Sequence, residues 1–204
     1  SKRKEFLIKN SKYYKGTLYD LYKKAHTPWE WHKDIFNLCK KLKIPCFSTP
    51  FDKSAVEFLY NLNVPAFKIS SFECNDLPLI KEVAQTNKPT IISTGLASKK
   101  EISESVNFFR KYSKANLMLL KCTSNYPAKY LDLNLMTIND MRNYFNCEVG
   151  FSDHTKDNLA AIVASNCGAA LIEKHFNIDD KITTPDSHFS GTSKQFYNLA
   201  KDLK

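Results

Sequence analysis

The sequence lacks the long apolar stretches that mark membrane and export segments. It contains no uninterrupted apolar run of about 18 residues, the length that a membrane-spanning helix needs. Residues 1–10 are basic but include no apolar stretch of the kind found in a signal peptide. No Gly/Ser-rich tract or shift in composition marks a linker. These absences predict a single domain over residues 1–204, with no membrane partner.

Motifs for binding nucleotides and nucleic acids are also missing. No GxGxxG or GxxxxGK[ST] pattern follows an apolar run, which argues against a Rossmann or P-loop nucleotide site. The formal charge of +9 is spread along the whole chain, without a zinc finger, an RNP-like motif or a sustained basic arm. We interpret the lysines as a solvated surface that is compatible with a local pocket for an anionic substrate, and we predict no nucleic-acid partner.

Cysteine pairs of the CxxC type are absent as well. Most of the six cysteines lie in apolar, strand-like runs such as IPCFS and LLKCTS; they are Cys39, Cys46, Cys74, Cys122, Cys147 and Cys167. Buried free cysteine is the better interpretation of this spacing than a set of disulfides. Free cysteines are typical of a reducing compartment, so we expect a cytoplasmic protein.

Short apolar runs alternate with amphipathic segments along the chain. The runs are IPCFST (44–49), PAFKIS (65–70), PTIIST (89–94), LMLLKCTS (117–124), EVGFSD (148–153) and AALIEKH (169–175). One amphipathic segment begins with a capping-box pattern formed by Ser98 and Glu101. This alternation predicts an α/β fold with a parallel sheet. Six βα units are two short of a closed (β/α)8 barrel, and periodicity alone leaves an open parallel sheet as the alternative.

Polar side chains collect at the C-terminal ends of these runs, where parallel barrels carry their active sites. Ser152 and His154 are two residues apart, as are Glu173 and His175, so each pair shares one face of its strand. If both strands end at the same barrel mouth, the two histidines can converge on one divalent metal ion, with positions left open for water and substrate. The alternative is a pair of ordinary hydrogen-bonded histidines near strand ends.

Lys68 is unusual because it lies in the middle of an apolar run, where an unpaired ammonium group is costly. The alternative is that its side chain simply extends to the end of the strand. Hydroxyl groups at neighbouring strand ends can donate hydrogen bonds to phosphate or carboxylate oxygens; they belong to Thr49, Ser71, Ser93 and Ser152. Together these residues predict an oxyanion pocket beside the metal.

The segments FSTPFD, FKISSFECND, PTIISTG, LLKCTSNYP, VGFSDHT and IEKHF resemble the sialic acid synthase family, also called the NeuB family, and occur in that family's order. The resemblance covers the chain from about residue 27 onward. HTPWEWH, the CTSNYP form and the PDSHFS loop are more similar to the pseudaminic acid branch than to the N-acetylneuraminate branch. The resemblance implies a TIM (β/α)8 barrel, of which about six of the eight βα units are present here.

The resemblance also implies an activity and a cofactor. Enzymes of this family are transferases that condense phosphoenolpyruvate with an open-chain N-acetylated amino sugar and release phosphate. For the pseudaminate branch the acceptor is 2,4-diacetamido-2,4,6-trideoxy-L-altrose, and the rival products are N-acetylneuraminate and legionaminate. The family implies a divalent metal, usually Mn²⁺ with Mg²⁺ or Co²⁺ as alternatives, and a homodimer for the full-length protein.

Individual roles are implied by the matched motifs. His154 and His175 match the metal ligands, and Glu73 matches the acid near the reacting water and sugar. The phosphoenolpyruvate pocket is matched by Lys68, Thr49, Ser71, Ser93 and Ser152. Contacts to the sugar are matched by Tyr126, Asp186 and Ser124, the last of which stands where sialate synthases have an asparagine.

Members of the family also carry two earlier strands, which bear a glutamate and a lysine of the site, and a C-terminal antifreeze-like domain. We expect both to be absent from this 204-residue piece, and we therefore predict that the isolated piece shows little or no activity. Steady phosphate release by this piece with the correct sugar would contradict the prediction. The alternative is a catalytically inactive barrel that acts as a binding module, and the manganese content of the purified protein distinguishes the two because a module need not retain the metal.

Overall fold

The computed structural model describes residues 3–8, 16–179, 181 and 184–204. Residues 1, 2, 9 and 10 of the segment considered above as a signal peptide lie outside this part of the chain. The described α-helices are α1 (Leu18–Ala25), α2 (Trp29–Lys41), α3 (Lys53–Asn61), α4 (Leu77–Gln85), α5 (Lys99–Tyr112), α6 (Thr137–Phe145), α7 (Leu159–Asn166) and α8 (Ser193–Asp202). The strands are β1 (Phe67–Ile69), β2 (Thr90–Ser93), β3 (Leu117–Cys122), β4 (Glu148–Asp153) and β5 (Ile172–Lys174).

The five strands form one parallel sheet in the order β1-β2-β3-β4-β5. Each connection between neighbouring strands contains one helix, from α4 after β1 to α7 after β4. Strands that are successive in the chain and adjacent in space, with a helix between each pair, are the repeating unit of a (β/α)8 barrel. The structure therefore confirms the predicted fold class as a partial barrel.

The helices cover one face of this sheet. Phe67, Ile92, Leu119 and Phe151 point to that face, are fully buried and pack in one core with helix residues such as Phe109. Burial of each such side chain contributes about 1.5–3 kcal/mol. Because strand side chains alternate, the residues between these positions face the opposite, uncovered side.

The prediction of a first strand at residues 44–49 is wrong. This segment has no strand pairing, and the side chains of Ile44 and Phe47 remain exposed. Pro45 has no N–H to donate to a ladder, and among the described strands β1 is paired only with β2. The described part of the chain thus holds five strands instead of six.

The predicted helix start at Ser98 and the free cysteines are confirmed. The Ser98 hydroxyl accepts a hydrogen bond from the Glu101 N–H, and the Glu101 carboxylate accepts one from the Ser98 N–H at 2.7 Å. All six cysteines are free, but only Cys74 and Cys122 are buried, and the others are half-buried. Burial raises the pKa of the Cys74 thiol to about 11. Within the described residues, no helix has the length and apolar character needed to cross a bilayer.

Candidate active site

Polar side chains from strands β1, β4 and β5 meet on the uncovered face of the sheet. Ser152 in β4 lies opposite Glu173 in β5 and donates a hydrogen bond to Glu173 Oε1 at 2.8 Å. Lys68 in β1 reaches the same carboxylate, with its Nζ 3.3 Å from Glu173 Oε2. In a flat sheet β1 and β5 would lie about 19 Å apart, four strand spacings. The contact therefore shows that the sheet curves around this face, as a barrel wall does.

His154 and His175 directly follow β4 and β5, at the carboxyl-terminal edge of the sheet. They lie on the same face, as the alternation predicts. Their ring centroids are 5.4 Å apart. The His154 Nδ1 lies 2.9 Å from the backbone oxygen of Thr123, which assigns a proton to Nδ1, and its Nε2 lies 3.4 Å from Ser152 Oγ. The His175 Nδ1 faces Asp186 Oδ2 at 3.5 Å, and the hydrogen bond from His175 holds the pKa of Asp186 below its usual value.

These two rings fit the requirements of a metal-binding pair. Histidine ligands in proteins engage their second ring nitrogen with an oxygen acceptor, which fixes the ring and its tautomer. Both histidines have such an oxygen at Nδ1, so Nε2 is the ring atom that would bind a metal, and at His154 the metal would replace the contact with Ser152 Oγ. In the described residues no cluster of three or more His, Cys, Asp or Glu side chains could hold an ion. The pair could thus hold a metal whose other positions are filled by water and substrate.

Aromatic side chains form a wall around the histidines. The Tyr126 ring lies 4.2 Å from the His154 ring, and the Phe189 ring lies 4.8 Å from the His175 ring. Tyr126 and Phe189 also contact each other, with centroids 5.4 Å apart. Burial raises the pKa of the Tyr126 phenol, so it remains protonated and can act as a hydrogen-bond donor.

A second group of side chains surrounds Gly95 at the end of β2. The Gly95 N–H donates to Ser71 Oγ at 3.1 Å. A Cβ at this position would meet Ser124 Oγ and would lie 2.9 Å from Cys122 Sγ, so a larger residue would require these side chains to move. Ser124 Oγ contacts the same sulfur at 3.8 Å. Ser71 and Ser124 therefore lie close together around Gly95.

Cys122 connects this group to the histidines. Its sulfur lies 4.0 Å from His154 Nδ1. Burial alone would raise the pKa of the Cys122 thiol, but the contacts with His154, Ser71 and Ser124 together outweigh it, so the pKa lies below its usual value. Cys122 was not among the predicted site residues.

Ser93 is buried on the uncovered face, and its hydroxyl has no hydrogen-bond partner in the described part of the chain. A buried hydroxyl without a partner costs about 1–3 kcal/mol. A ligand oxygen would satisfy it. Ser93 thus offers an unused hydroxyl on the same face of the sheet as Lys68.

Two predicted site residues, Glu73 and Thr49, make no described contact with Lys68 or with either histidine. The Glu73 carboxylate accepts a hydrogen bond from Ser70 Oγ. Thr49 lies in the unpaired segment and lines a separate cavity of about 540 Å³ that also includes Trp29. The physical reason for Thr49 is that no strand pairing holds residues 44–49 against β1. The roles of both residues stay predictions.

Sequence reasoning also missed side chains that support the site. Phe189 is fully buried, but its loop carries no periodic pattern that predicts burial. Asp153 and Lys174 form a buried ion pair on the helix-covered side of β4 and β5. The alternation that placed the histidines on one face also places these two residues on the other, and this signal was available.

The hydroxyl of Ser93, which has no described hydrogen-bond partner, leads to a testable prediction. Ser93→Ala is expected to leave the free energy of unfolding unchanged or to raise it by up to about 1–3 kcal/mol, because the variant removes a buried hydroxyl that has no described partner. The matched control is Ser105→Ala, which removes a buried hydroxyl that donates to the backbone oxygens of Cys74 and Glu101, at a cost of about 1–2 kcal/mol. Urea unfolding followed by circular dichroism measures both. A loss in Ser93→Ala as large as that of the control would show that the hydroxyl has a protein partner.

Comparisons with known proteins agree with this geometry. The chain is similar to the pseudaminic acid synthase of Helicobacter pylori, with 41% identity over 204 residues, which are 100% of this chain and 60% of that protein. It is 44% identical over 190 residues to the pseudaminic acid synthase of Campylobacter jejuni, covering 93% of this chain and 55% of that protein. The chain therefore spans little more than half the length of these relatives.

A solved structure shows the same fold. The N-acetylneuraminic acid (sialic acid) synthetase of Leptospira borgpetersenii superposes with a TM-score of 0.87 at 30% identity, over 90% of this chain and 64% of that one. A model of the NeuB family matches residues 1–204. Since this match extends over the whole chain, the protein belongs to the NeuB family.

Proposed function

We propose that this chain carries part of the active site of a phosphoenolpyruvate-dependent nonulosonic acid synthase. The observation that carries the proposal is the meeting of Lys68, Glu173 and the two histidines on one face of a curved parallel sheet. We further propose 2,4-diacetamido-2,4,6-trideoxy-L-altrose as the acceptor, because the relatives named above are pseudaminic acid synthases.

Lys68 and the hydroxyls would bind the anionic substrate. The Lys68 side chain is 9% exposed, so its ammonium group is shielded from solvent, and a hydrogen bond from it to a phosphate or carboxylate contributes about 1.5–3 kcal/mol. Ser93 would supply a further donor with no competing protein partner. Glu173 orients both Lys68 and Ser152, because one carboxylate contacts both side chains.

His154 and His175 would hold a divalent metal ion through their Nε2 atoms. When bound, the ion would polarise the carbonyl group of the sugar aldehyde. Imidazole suits transition-metal ions, whereas Mg²⁺ prefers oxygen ligands, and we propose Mn²⁺ because the resemblance to the NeuB family implies it. Asp186 would keep the His175 ring oriented, while Tyr126 lies beside both rings and faces the space where the sugar would bind.

The proposed reaction joins C3 of phosphoenolpyruvate to the aldehyde carbon of the sugar. Water then adds at C2, and phosphate leaves from the resulting tetrahedral intermediate. The Lys68 group would hold the phosphoenolpyruvate so that its C3 faces the aldehyde, which lowers the entropic cost of reaction. Glu73 remains the proposed proton acceptor for the water, by its match to the family motif. In the described structure its carboxylate is held by Ser70.

The test uses the full-length protein that the gene encodes. Phosphate release is measured with phosphoenolpyruvate and each of three acceptors: the trideoxy-L-altrose, N-acetylmannosamine and the legionaminate precursor. The altrose is expected to react fastest, by about tenfold or more. EDTA should abolish the reaction and Mn²⁺ should restore it. Faster release with another acceptor would assign the protein to a rival synthase, and no release with any acceptor would contradict the proposal.

Binding to the 204-residue chain provides a second readout. His175→Gln should abolish Mn²⁺ binding, whereas His26→Gln, which alters an exposed histidine on α1's C-terminal cap, should not. Ser93→Ala should weaken the binding of phosphoenolpyruvate by about tenfold, because one hydrogen bond to a charged group is lost. Binding of both ligands to a protein that never releases phosphate would favour a binding module.

A further inference from the structure

We propose that Asp153 and Lys174 are positioning residues that hold the two histidines in register from behind the candidate active site. Lys174 Nζ lies 2.8 Å from Asp153 Oδ2, and the two side chains are 1% and 0% exposed. They lie directly opposite each other on β5 and β4, and they point to the helix-covered face. This proposal rests on the proposed function, because it assigns the pair a role in that site.

The position of the ion pair in the ladder matters. Asp153↔Lys174 is the last paired position between β4 and β5. His154 and His175 are the next residues on the two strands, and they lie beyond the strand pairing. The buried ion pair is therefore the final tie between the strands before the chain reaches the two imidazoles.

The pair also fixes the residue that follows His154. Lys174 Nζ donates a second hydrogen bond to the backbone oxygen of Thr155 at 2.7 Å. Asp153 Oδ1 accepts from the Thr155 N–H at 2.8 Å. Both backbone polar groups of Thr155 are thus bound by the ion pair, and His154 is held between two anchored residues.

Stability alone is a weak explanation for such a pair. Two buried charges lose their hydration, and apolar residues of similar volume often replace a buried ion pair with no loss of stability or with a gain. An apolar pair, however, cannot bind the N–H and the oxygen of Thr155. Positioning of His154 is the function that specifically requires these charged and hydrogen-bonding atoms.

The test is the double variant Asp153→Leu/Lys174→Met, which leaves no unpaired charge. Its melting temperature is expected to fall, because the Thr155 N–H and oxygen lose their partners at about 1–3 kcal/mol each, while unfolding should remain a single cooperative transition. Nitrogen-15 NMR of the metal-free chain should show one Nδ1-protonated tautomer of His154 in the parent and a mixture in the variant. Mn²⁺ affinity, measured by EPR of the free ion, should fall about tenfold or more, as for other residues that orient metal ligands.

The matched control is Lys53→Met/Glu82→Gln, which removes an exposed ion pair with a separation of 3.4 Å between Nζ and carboxylate oxygen. It should change neither the His154 tautomer nor the Mn²⁺ affinity. A folded double variant with the parent's tautomer and affinity would overturn the proposal and leave the pair a purely structural role. If the parent itself binds no Mn²⁺, the proposed metal site fails, and the tautomer still tests the positioning role.

The single variant Lys174→Met covers the case in which the double variant does not fold. It removes both hydrogen bonds of the Lys174 ammonium group, to Asp153 and to the Thr155 oxygen. With a parent-like circular dichroism spectrum, it should still show a mixed His154 tautomer. A parent-like tautomer in this folded variant would also overturn the proposal.

Discussion

The contact between Lys68 and Glu173 spans the sheet from its first strand to its last. Because these strands are separated by three others, two side chains can meet at 3.3 Å only if the sheet curves around the space between them. Curvature turns one face of the sheet into a concave surface, where side chains from distant parts of the chain share one volume. The candidate active site depends on this geometry, since none of its strands alone carries enough groups to bind two substrates.

The two faces of the sheet have separate functions because strand side chains alternate. The convex face supplies apolar side chains such as Phe67 and Phe151 to the core beneath the helices. This packing holds the wall of the barrel in shape and needs nothing from the concave face. The concave face is therefore able to carry Lys68, Ser93 and Ser152, whose polar atoms could not be buried under helices without partners. Asp153 and Lys174 are buried charged residues on the convex face, and they satisfy each other.

Alternation and strand polarity made much of the site predictable from the sequence. Both rules depend only on local geometry, so they correctly placed His154, His175 and Glu173 on one face at one edge. The strand prediction for residues 44–49 was wrong because apolar composition does not reveal whether a segment has a neighbouring strand to pair with. Phe189 could not be predicted, because burial of a loop residue depends on contacts made elsewhere in the chain. The roles of Glu73 and Thr49 rest on family motifs and not on their position.

The central claim is that residues far apart in the chain enclose one site for a metal and an anion. Anomalous X-ray diffraction from crystals grown with Mn²⁺ and phosphoenolpyruvate tests it most directly. The account predicts one manganese peak at bonding distance from the Nε2 atoms of both His154 and His175, with the phosphoenolpyruvate in contact with Lys68 and Ser93. A manganese peak elsewhere, or imidazole rings that point away from each other with Lys68 remote from both, would contradict it.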